Sequence, residues 1–344
     1  MLLVGVVLSV SPNVAPVRGR KAIERREHQK RQRARALIGL DALLDRIEAS
    51  HSHPSWLPEV DAYASPACGT RHIHWANLPD GCDPCDISRK MGATKRGERK
   101  RESVAAFAWL LERVLLPQVT VEMPTIVDLG TGTGSLLLPL AAIFPHATFI
   151  GVDTKVGSLD RLRARADAAG PEVSGRVHTW QGRIEDFDGR CDVAISLHAC
   201  GSASDASLRL AVERRVPFAV SPCCVGKVST GTRASSGRGA LSPWLQELTE
   251  PEGFRLLAKW ADAVEHAAPI APAGREHLQD ESASRRRRCK RIVELDRLAS
   301  LGADAGRLLR IDGPAMASSG QTELLTGPPS SALLAHIVSI KPPR

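Results

Sequence analysis

The stretch "VDLGTGTGS", residues 127–135, decides how the rest of the chain is interpreted. A short apolar run, "TIVDLG", leads into it, and the apolar segment "SLLLPLAAIF" follows at 135–144. This order predicts a buried strand, a tight turn and a helix. Alternate glycines let the backbone turn and approach a ligand closely, while the helix behind them presents unpaired amide groups. We therefore interpret the stretch as a ligand-binding loop at the end of a strand.

The spacing of this loop separates two classes of ligand. A nicotinamide-binding fingerprint has the spacing G-x-G-x-x-G, and here its third glycine position is Ser135. An acid, Asp128, is instead followed by Gly130, Gly132 and Gly134. This pattern fits S-adenosylmethionine, whose charged amino-acid portion needs a pocket linked to a carboxylate. The expected cofactor is therefore S-adenosylmethionine.

The same order of strand, turn and helix repeats along the chain. "ATFIGVD" (147–153) is a second strand, and its final Asp153 is placed to accept hydrogen bonds from ribose hydroxyls. Further strands are expected at 176–182, 191–199, 218–223, 306–312 and 322–327. Alternating strands and helices predict an α/β fold with a mostly parallel sheet and helices on both faces. Ligands of such sheets bind outside the carboxyl ends of the strands.

Composition divides the chain into three parts. We expect a disordered basic leader at 1–36, an irregular extension with a short helix at 37–101, and one catalytic α/β domain at 102–344. The opening "MLLVGVVLSV" is too short to span a bilayer and has no basic residues before it. The eight cysteines are irregularly spaced, which favours reduced thiols. We expect a cytoplasmic protein that does not bind membranes, with organelle import through the leader as the alternative.

The positive charge of the chain is concentrated in a few places. Residues 18–35 hold nine Lys or Arg and two Glu, while the whole chain carries a net charge of +8. Two further basic clusters lie at 89–101 and 285–291. Such clusters are consistent with binding to an RNA substrate, although solvated helix faces are the competing interpretation.

With these motifs placed, residues 89–328 resemble a known family. The matching stretches are "RKR" (99–101), "VDLGTGTG", "GVDTK" (151–155), "IEDF" (184–187), "LHACGSASD" (197–205), "SPCCVG" (221–226), "KWADA" (259–263) and "IVELDRLA" (292–299). They resemble the class I S-adenosylmethionine-dependent methyltransferase domain at the C-terminus of the glutathione S-transferase C-terminal-domain-containing protein. Eukaryotic tRNA 2'-O-methyltransferases are more distantly similar.

The resemblance implies a seven-stranded Rossmann-like sheet and a set of cofactor contacts. Where many methyltransferases bind the adenine amino group with an acid or amide, this chain has Arg183, so the resemblance leaves the Ile184 backbone for adenine. The remaining implied cofactor contacts are Asp128, Gly130, Gly132, Gly134, Asp153 and Lys155.

Two stretches bring reactive side chains to the ends of neighbouring strands. "ISLHACGSASD" (195–205) and "FAVSPCCVGK" (218–227) contain His198, Cys200, Asp205, Cys223 and Cys224. We expect these five residues to surround the methyl-transfer position. His198 is then a candidate general base, since its pKa suits proton removal near neutrality. Attack of a cysteine on a pyrimidine ring, metal binding, and small buried residues that only pack stay open as alternatives.

A separate cluster precedes the α/β domain. It comprises Cys68, His72, His74, Cys82 and Cys85. Its C-x-x-C half is typical of zinc sites, but it lacks a second regular half, so we predict no metal.

Taken together, the glycine loop, the family resemblance and the basic clusters indicate a methyltransferase acting on RNA. A protein or small-molecule acceptor, or a non-catalytic adaptor that retains the fold, are the alternatives.

Overall fold

A computed structural model of the chain shows one mixed sheet flanked by helices. It describes residues 17–50, 67–68, 71–85, 95–197, 199, 201–222, 225, 239–262, 276–301, 307–311 and 323–327. The strands are β1 (Ala67–Cys68), β2 (Thr125–Leu129), β3 (Thr148–Asp153), β4 (Val177–Gln181), β5 (Val193–Leu197), β6 (Phe218–Ser221), β7 (Arg307–Ile311) and β8 (Glu323–Gly327).

Most helices follow the strands in alternation. They are α1 (Val17–Glu48), α2 (Lys95–Leu110), α3 (Leu137–Ile143), α4 (Val156–Ala168), α5 (Pro171–Ser174), α6 (Ser202–Glu213), α7 (Pro243–Leu248), α8 (Pro251–Ala261) and α9 (Glu276–Ser300). Within these described segments, the chain shows no helix with the length and apolar character that crossing a membrane requires.

The strand order positions a ligand site. The sheet runs β1-β7-β8-β6-β5-β2-β3-β4. The five strands from β6 to β4 pair in parallel, whereas β8 is antiparallel to both of its neighbours. From β2 the chain continues to β3 on one side and later to β5 on the other, so the order reverses between β2 and β5. In open α/β sheets, this reversal point creates a crevice at the carboxyl ends of the strands.

Alternating side chains build a core on each face of the sheet. Val127 and Leu129 of β2 belong to the core covered by α1, α6, α7, α8 and α9. Ile126, on the opposite face of the same strand, belongs to the core covered by α2, α3 and α4. Because side chains alternate along a strand, burial on both faces requires an almost continuous apolar run. All five residues of β2, including Asp128, are buried accordingly.

The predicted α/β fold with a parallel sheet and helices is confirmed, with two differences. The sheet has eight strands among the described residues rather than the predicted seven, because the two-residue β1 pairs with β7. The second difference is α1, which is a helix of 32 residues that starts inside the segment predicted to be disordered. Residues 1–16 of that segment lie outside the described residues.

Candidate active site

The glycine loop follows β2 directly. Gly130, Gly132 and Gly134 have φ values of +85°, +57° and +77°, a region that favours glycine. The Gly130 amide donates to the carbonyl of Val152 at 2.8 Å, and the Thr131 amide donates to the same carbonyl at 3.0 Å. These bonds fasten the loop to the end of β3. A Cβ atom added at Gly132 would have no neighbour within 4 Å, so the loop backbone is open to a ligand there.

The carboxyl group of Asp128 lies buried beneath this loop. The residue is 1% exposed, and neither of its carboxyl oxygens has a hydrogen-bond partner among the described residues. The pKa of Asp128 is raised to about 7, chiefly by burial; the Thr131 hydroxyl lowers it and the negative charge of Asp153 raises it. An unpartnered buried carboxyl is costly, and a positively charged ligand group would satisfy it.

Asp153, at the end of β3, connects the glycine loop to the next helix. Its Oδ2 atom accepts a hydrogen bond of 2.9 Å from the Gly132 amide, and its Oδ1 atom accepts one of 2.9 Å from the Lys155 amide. Both oxygens are therefore fixed in direction, and each keeps a further lone pair for a hydroxyl group. Lys155 is the N-cap residue of α4, and its side chain is exposed.

A third loop completes this side of the crevice after β4. The Gly182 amide donates to the backbone carbonyl of Asp153 at 3.1 Å. Ile184 is 7% exposed and begins a short 3₁₀ turn, in which its carbonyl accepts a hydrogen bond from the Phe187 amide. Arg183 is exposed and pairs with Glu185 at 3.2 Å. An apolar residue thus lies at the position where the sequence predicts an adenine contact.

An unexpected wall of the crevice comes from residues before the α/β domain. The Lys100 Nζ atom donates to the Ser135 hydroxyl at 3.3 Å, at the far end of the glycine loop. The Arg165 guanidinium on α4 binds the backbone carbonyls of Gly81 and Thr133, so segment 71–85 is joined to the loop. The sequence motif "RKR" marked Lys100, but no local pattern predicted where its side chain would lie.

Of the five residues predicted for the acceptor side, Asp205 is described. His198, Cys200, Cys223 and Cys224 lie outside the described residues. Ala199, which lies between the first two in sequence, is close to the glycine loop, because a Cβ atom at Gly130 would lie 3.4 Å from the Cβ of Ala199. β5 and β6 are neighbours, so the loops that follow them leave the same edge of the sheet. The roles predicted for these side chains stay predictions.

Asp205 has an observed partner that the sequence did not indicate. Its Oδ1 atom accepts a hydrogen bond of 2.8 Å from Arg297 Nε, and Arg297 also pairs with Glu294 at 2.7 Å. Arg297 is fully buried and donates to the carbonyl of Gly201 at 3.2 Å. Burial alone would lower the pKa of Arg297, but the Glu294 and Asp205 carboxylates raise it above its ordinary value. Arg297 thus joins Asp205 to the carbonyl of Gly201, and the catalytic role predicted for Asp205 stays a prediction.

The described parts of the cysteine and histidine cluster before the domain do not converge. Cys82 is fully buried and Cys85 is partly buried, and neither forms a disulfide. His72 and His74 stack edge to face at 4.5 Å. Among the residues the structure describes, no group of three or more His, Cys, Asp or Glu could hold a metal ion. The side chain of Cys68 lies outside those residues.

The geometry of the crevice agrees with a comparison to protein families. Residues 99–231 match the family model described as "Methyltransferase domain". This match supports a class I S-adenosylmethionine-dependent methyltransferase domain. The matched segment contains the glycine loop, Asp153 and the loops after β4, β5 and β6, which are the elements that build the crevice. It covers less than half of the chain.

Curated relatives extend the similarity of the methyltransferase domain beyond the matched segment. The chain is 27% identical over 256 residues to the "Glutathione S-transferase C-terminal domain-containing protein" of Xenopus laevis, covering 74% of this chain and 35% of that protein. It is 29% identical over 231 residues to the homologue of Drosophila pseudoobscura pseudoobscura, covering 67% and 36%. The chain thus spans about a third of the length of these relatives.

Two further matches concern proteins named as methyltransferases. "Ribosomal RNA small subunit methyltransferase G" of Salinibacter ruber is 38% identical over 73 residues, covering 21% of this chain and 32% of that protein. Among solved structures, the methyltransferase domain of bacterial CtHen1-C is similar with a TM-score of 0.39 and 14% identity. That match covers 66% of this chain and 96% of that one.

Proposed function

We propose that the protein is an S-adenosylmethionine-dependent methyltransferase. The observation that carries the proposal is Asp128, a buried carboxyl group whose oxygens accept no hydrogen bond from the described residues, beneath a glycine loop whose backbone is open at Gly132. The cofactor has an ammonium group that would satisfy this carboxylate. A dinucleotide would instead place a pyrophosphate here, and a buried negative charge would repel it.

Different residues around the crevice would bind different parts of the cofactor. Asp128 would bind the ammonium group, and the loop backbone would contact the amino-acid portion. Asp153 would accept hydrogen bonds from the ribose hydroxyls, because both of its oxygens are already oriented by backbone amides. Ile184 would pack against adenine, and Lys155 would lie at the exposed rim. When bound, the cofactor supplies an electrophilic methyl group on a sulfonium.

On the acceptor side we propose that His198 removes the proton released by a hydroxyl or amine acceptor. A histidine suits this step because its ordinary pKa lies close to neutral pH. Arg297 would position this side of the site, since it binds both Asp205 and the carbonyl of Gly201, three residues after His198. We favour RNA as the acceptor because of the exposed basic residues of α1. A protein, a small molecule or an adaptor role without catalysis are the competing functions.

Calorimetric titration of S-adenosylmethionine into the full chain tests the cofactor assignment. We expect binding to the wild-type protein and its loss in Asp128→Ala and Asp153→Ala. Asp192→Asn is the matched control, because Asp192 accepts the Thr125 amide at 2.8 Å near the start of β2, at the opposite edge of the sheet. No binding by the wild-type protein, or equal binding by all four proteins, would exclude the enzyme assignment.

A second experiment identifies the acceptor class. The protein is incubated with cofactor labelled in its methyl group and with separated cellular RNA and protein fractions. We expect label in RNA from the wild-type protein and none from Asp128→Ala. Label confined to protein would refute the RNA acceptor, while cofactor binding without transfer to any fraction would favour the adaptor function.

A further inference from the structure

The side chains of the three basic clusters of the chain make different contacts. In the cluster 285–291, Arg285 and Arg288 pair with acids of α1, and Lys290 and Arg291 are at most 4% exposed. Four of its six basic residues are thus paired with α1 or buried, whereas Arg287 is exposed, and RNA binding by this cluster stays a prediction. In the second cluster, Lys100 and Arg101 contact the glycine loop and segment 71–85, and residues 89–94 lie outside the described residues.

The third cluster lies on α1, a helix with two chemically different halves. Its C-terminal half is anchored in the domain, and four of its apolar side chains are buried in the core: Leu40, Leu43, Leu44 and Ile47. Two bidentate ion pairs join it to α9, between Arg285 and Asp41 at 2.6 and 3.0 Å and between Arg288 and Glu48 at 2.8 and 2.6 Å. Arg–carboxylate pairs of this kind fix geometry as well as adding stability.

The N-terminal half of α1, residues 18–35, has the opposite character. It holds seven Arg, two Lys and two Glu, and its described side chains at 24–29 and 31–32 are all exposed. Like charges recur four residues apart at three places, each of which disfavours an isolated helix. A polar and like-charged helix gains stability from a polyanion that neutralises it. We call residues 18–35 the basic arm.

Several features of the arm favour a nucleic acid as that polyanion. Its apolar residues are limited to Ala22, Ile23 and Ala34, so it lacks the apolar face that a membrane-surface helix needs. Arg outnumbers Lys, and the Arg guanidinium binds phosphate oxygens in bidentate fashion. At 1.5 Å per residue the arm is roughly 27 Å long, which is enough to follow several phosphates of one strand.

The anchoring of the arm also relates it to the acceptor side of the site. α9 holds Arg285, which binds Asp41, six residues after the end of the arm, and twelve residues later Arg297, which binds Gly201 and Asp205. Twelve helical residues correspond to roughly 18 Å. α9 therefore separates Asp41, on the helix that continues from the arm, from Gly201 by a distance that one RNA molecule can bridge.

We infer that the basic arm is an RNA-binding element, which holds the phosphate backbone of the acceptor RNA while the methyltransferase domain acts on it. The inference rests on the proposed function for its methylation part, but RNA binding by the arm can be measured independently. Binding of this kind should be strongly dependent on salt and weakly dependent on sequence.

The test compares two triple variants of the full chain. The arm variant is Arg25→Gln, Arg26→Gln and Arg31→Gln, three exposed positions. The control variant removes the same charge from three exposed arginines elsewhere, at Arg113, Arg161 and Arg255. Anisotropy of a fluorescein-labelled RNA hairpin is measured over a series of KCl concentrations. A polyglutamate peptide of similar charge serves as the probe for acidic proteins.

We expect the arm variant to bind the hairpin about tenfold more weakly or worse, with the slope of log K against log salt reduced by about two to three. The control variant should bind within about twofold of the wild type. Equal binding by all three proteins, an equal loss in both variants, or tighter binding of polyglutamate than of RNA would overturn the inference. Cofactor titration separates the two proposals. An arm variant that binds cofactor but not RNA supports RNA binding by the arm. A wild-type protein that binds RNA but not cofactor refutes only the methyltransferase assignment.

Discussion

The buried carboxyl group of Asp128 should make both the stability of the protein and its affinity for the cofactor depend on pH. Its pKa is raised from 3.8 to about 7, chiefly by burial. Between these two pH values, the folded protein keeps a proton that the unfolded chain releases. The stability from this group is therefore fully present below about pH 4 and is lost as pH rises through about 7. The difference between pKa values of 3.8 and about 7 corresponds to roughly 4 kcal/mol of folding free energy.

Asp128→Asn removes the ionisable group with little change in shape. At pH 8 and without ligand, we expect the variant to be more stable than the wild type by as much as about 4 kcal/mol, whereas the two should be nearly equal at pH 4. Urea unfolding of both proteins across this pH range measures the difference in their free energies of unfolding. The contributions of the other carboxyl groups cancel in that difference. The same substitution should abolish cofactor binding, because it removes the partner of the ammonium group.

Binding by the wild type should respond to pH in the opposite sense. The ammonium group requires the ionised carboxylate, so affinity should rise by up to about tenfold per pH unit below 7 and level off above it. Three results would contradict this role of Asp128: no stabilisation of Asp128→Asn at pH 8, the same stability difference from the wild type at both pH values, or cofactor binding as tight as that of the wild type.

Three further predictions follow from other contacts. Arg297→Met should lower the free energy of unfolding by about 3–5 kcal/mol in urea titrations, because two buried carboxylates lose their partner; Arg255→Met, at an exposed site, should change it by less than about 0.5 kcal/mol. Gly134→Ala should be destabilised by about 2–4 kcal/mol and Gly132→Ala by about 1–2 kcal/mol. Both positions have positive φ, but only an alanine at 134 would meet side chains, with the Leu162 Cδ1 atom 2.3 Å from the added Cβ. Lys100→Gln should weaken S-adenosylmethionine binding by about tenfold, as for one charged hydrogen bond, because Lys100 bonds Ser135 at the end of the loop that would contact the amino-acid portion. Binding of 5'-methylthioadenosine, which lacks that portion, should be unchanged.

Each of these predictions has a contradicting result. A mild effect of Arg297→Met would mean that its two carboxylates are neutral or hydrated in the native state. Equal destabilisation of the two glycine variants would show that backbone strain, rather than packing, dominates the loop. Equal weakening of both ligands by Lys100→Gln would mean that the lysine supports the loop instead of contacting the cofactor.

Local sequence patterns predicted the α/β fold and the side of the site that we assign to the cofactor. Apolar runs buried on both faces of the sheet identify β2, β3 and β5 without reference to the rest of the chain. The glycine loop and Asp153 lie within about 25 residues of each other, in one strand, turn, helix and strand unit. Short-range periodicity and turn chemistry are sufficient in such a unit, because each strand end is specified by the residues beside it.

Tertiary structure alone decided which charged residues face solvent. The clusters at 18–35 and 285–291 are similar as sequences, yet the first is exposed where its side chains are described, whereas Arg285 and Arg288 of the second pair with acids more than 200 residues away. Composition cannot distinguish these outcomes, since a buried cation is stable only when the fold brings an acid to it. Arg297 shows the same limit, because its partnership with Asp205 exists only once α9 packs beside α6. The sequence by itself determined the elements and the glycine loop, while long-range packing determined the anchoring of α1, the burial of α9 and the partner of Asp205.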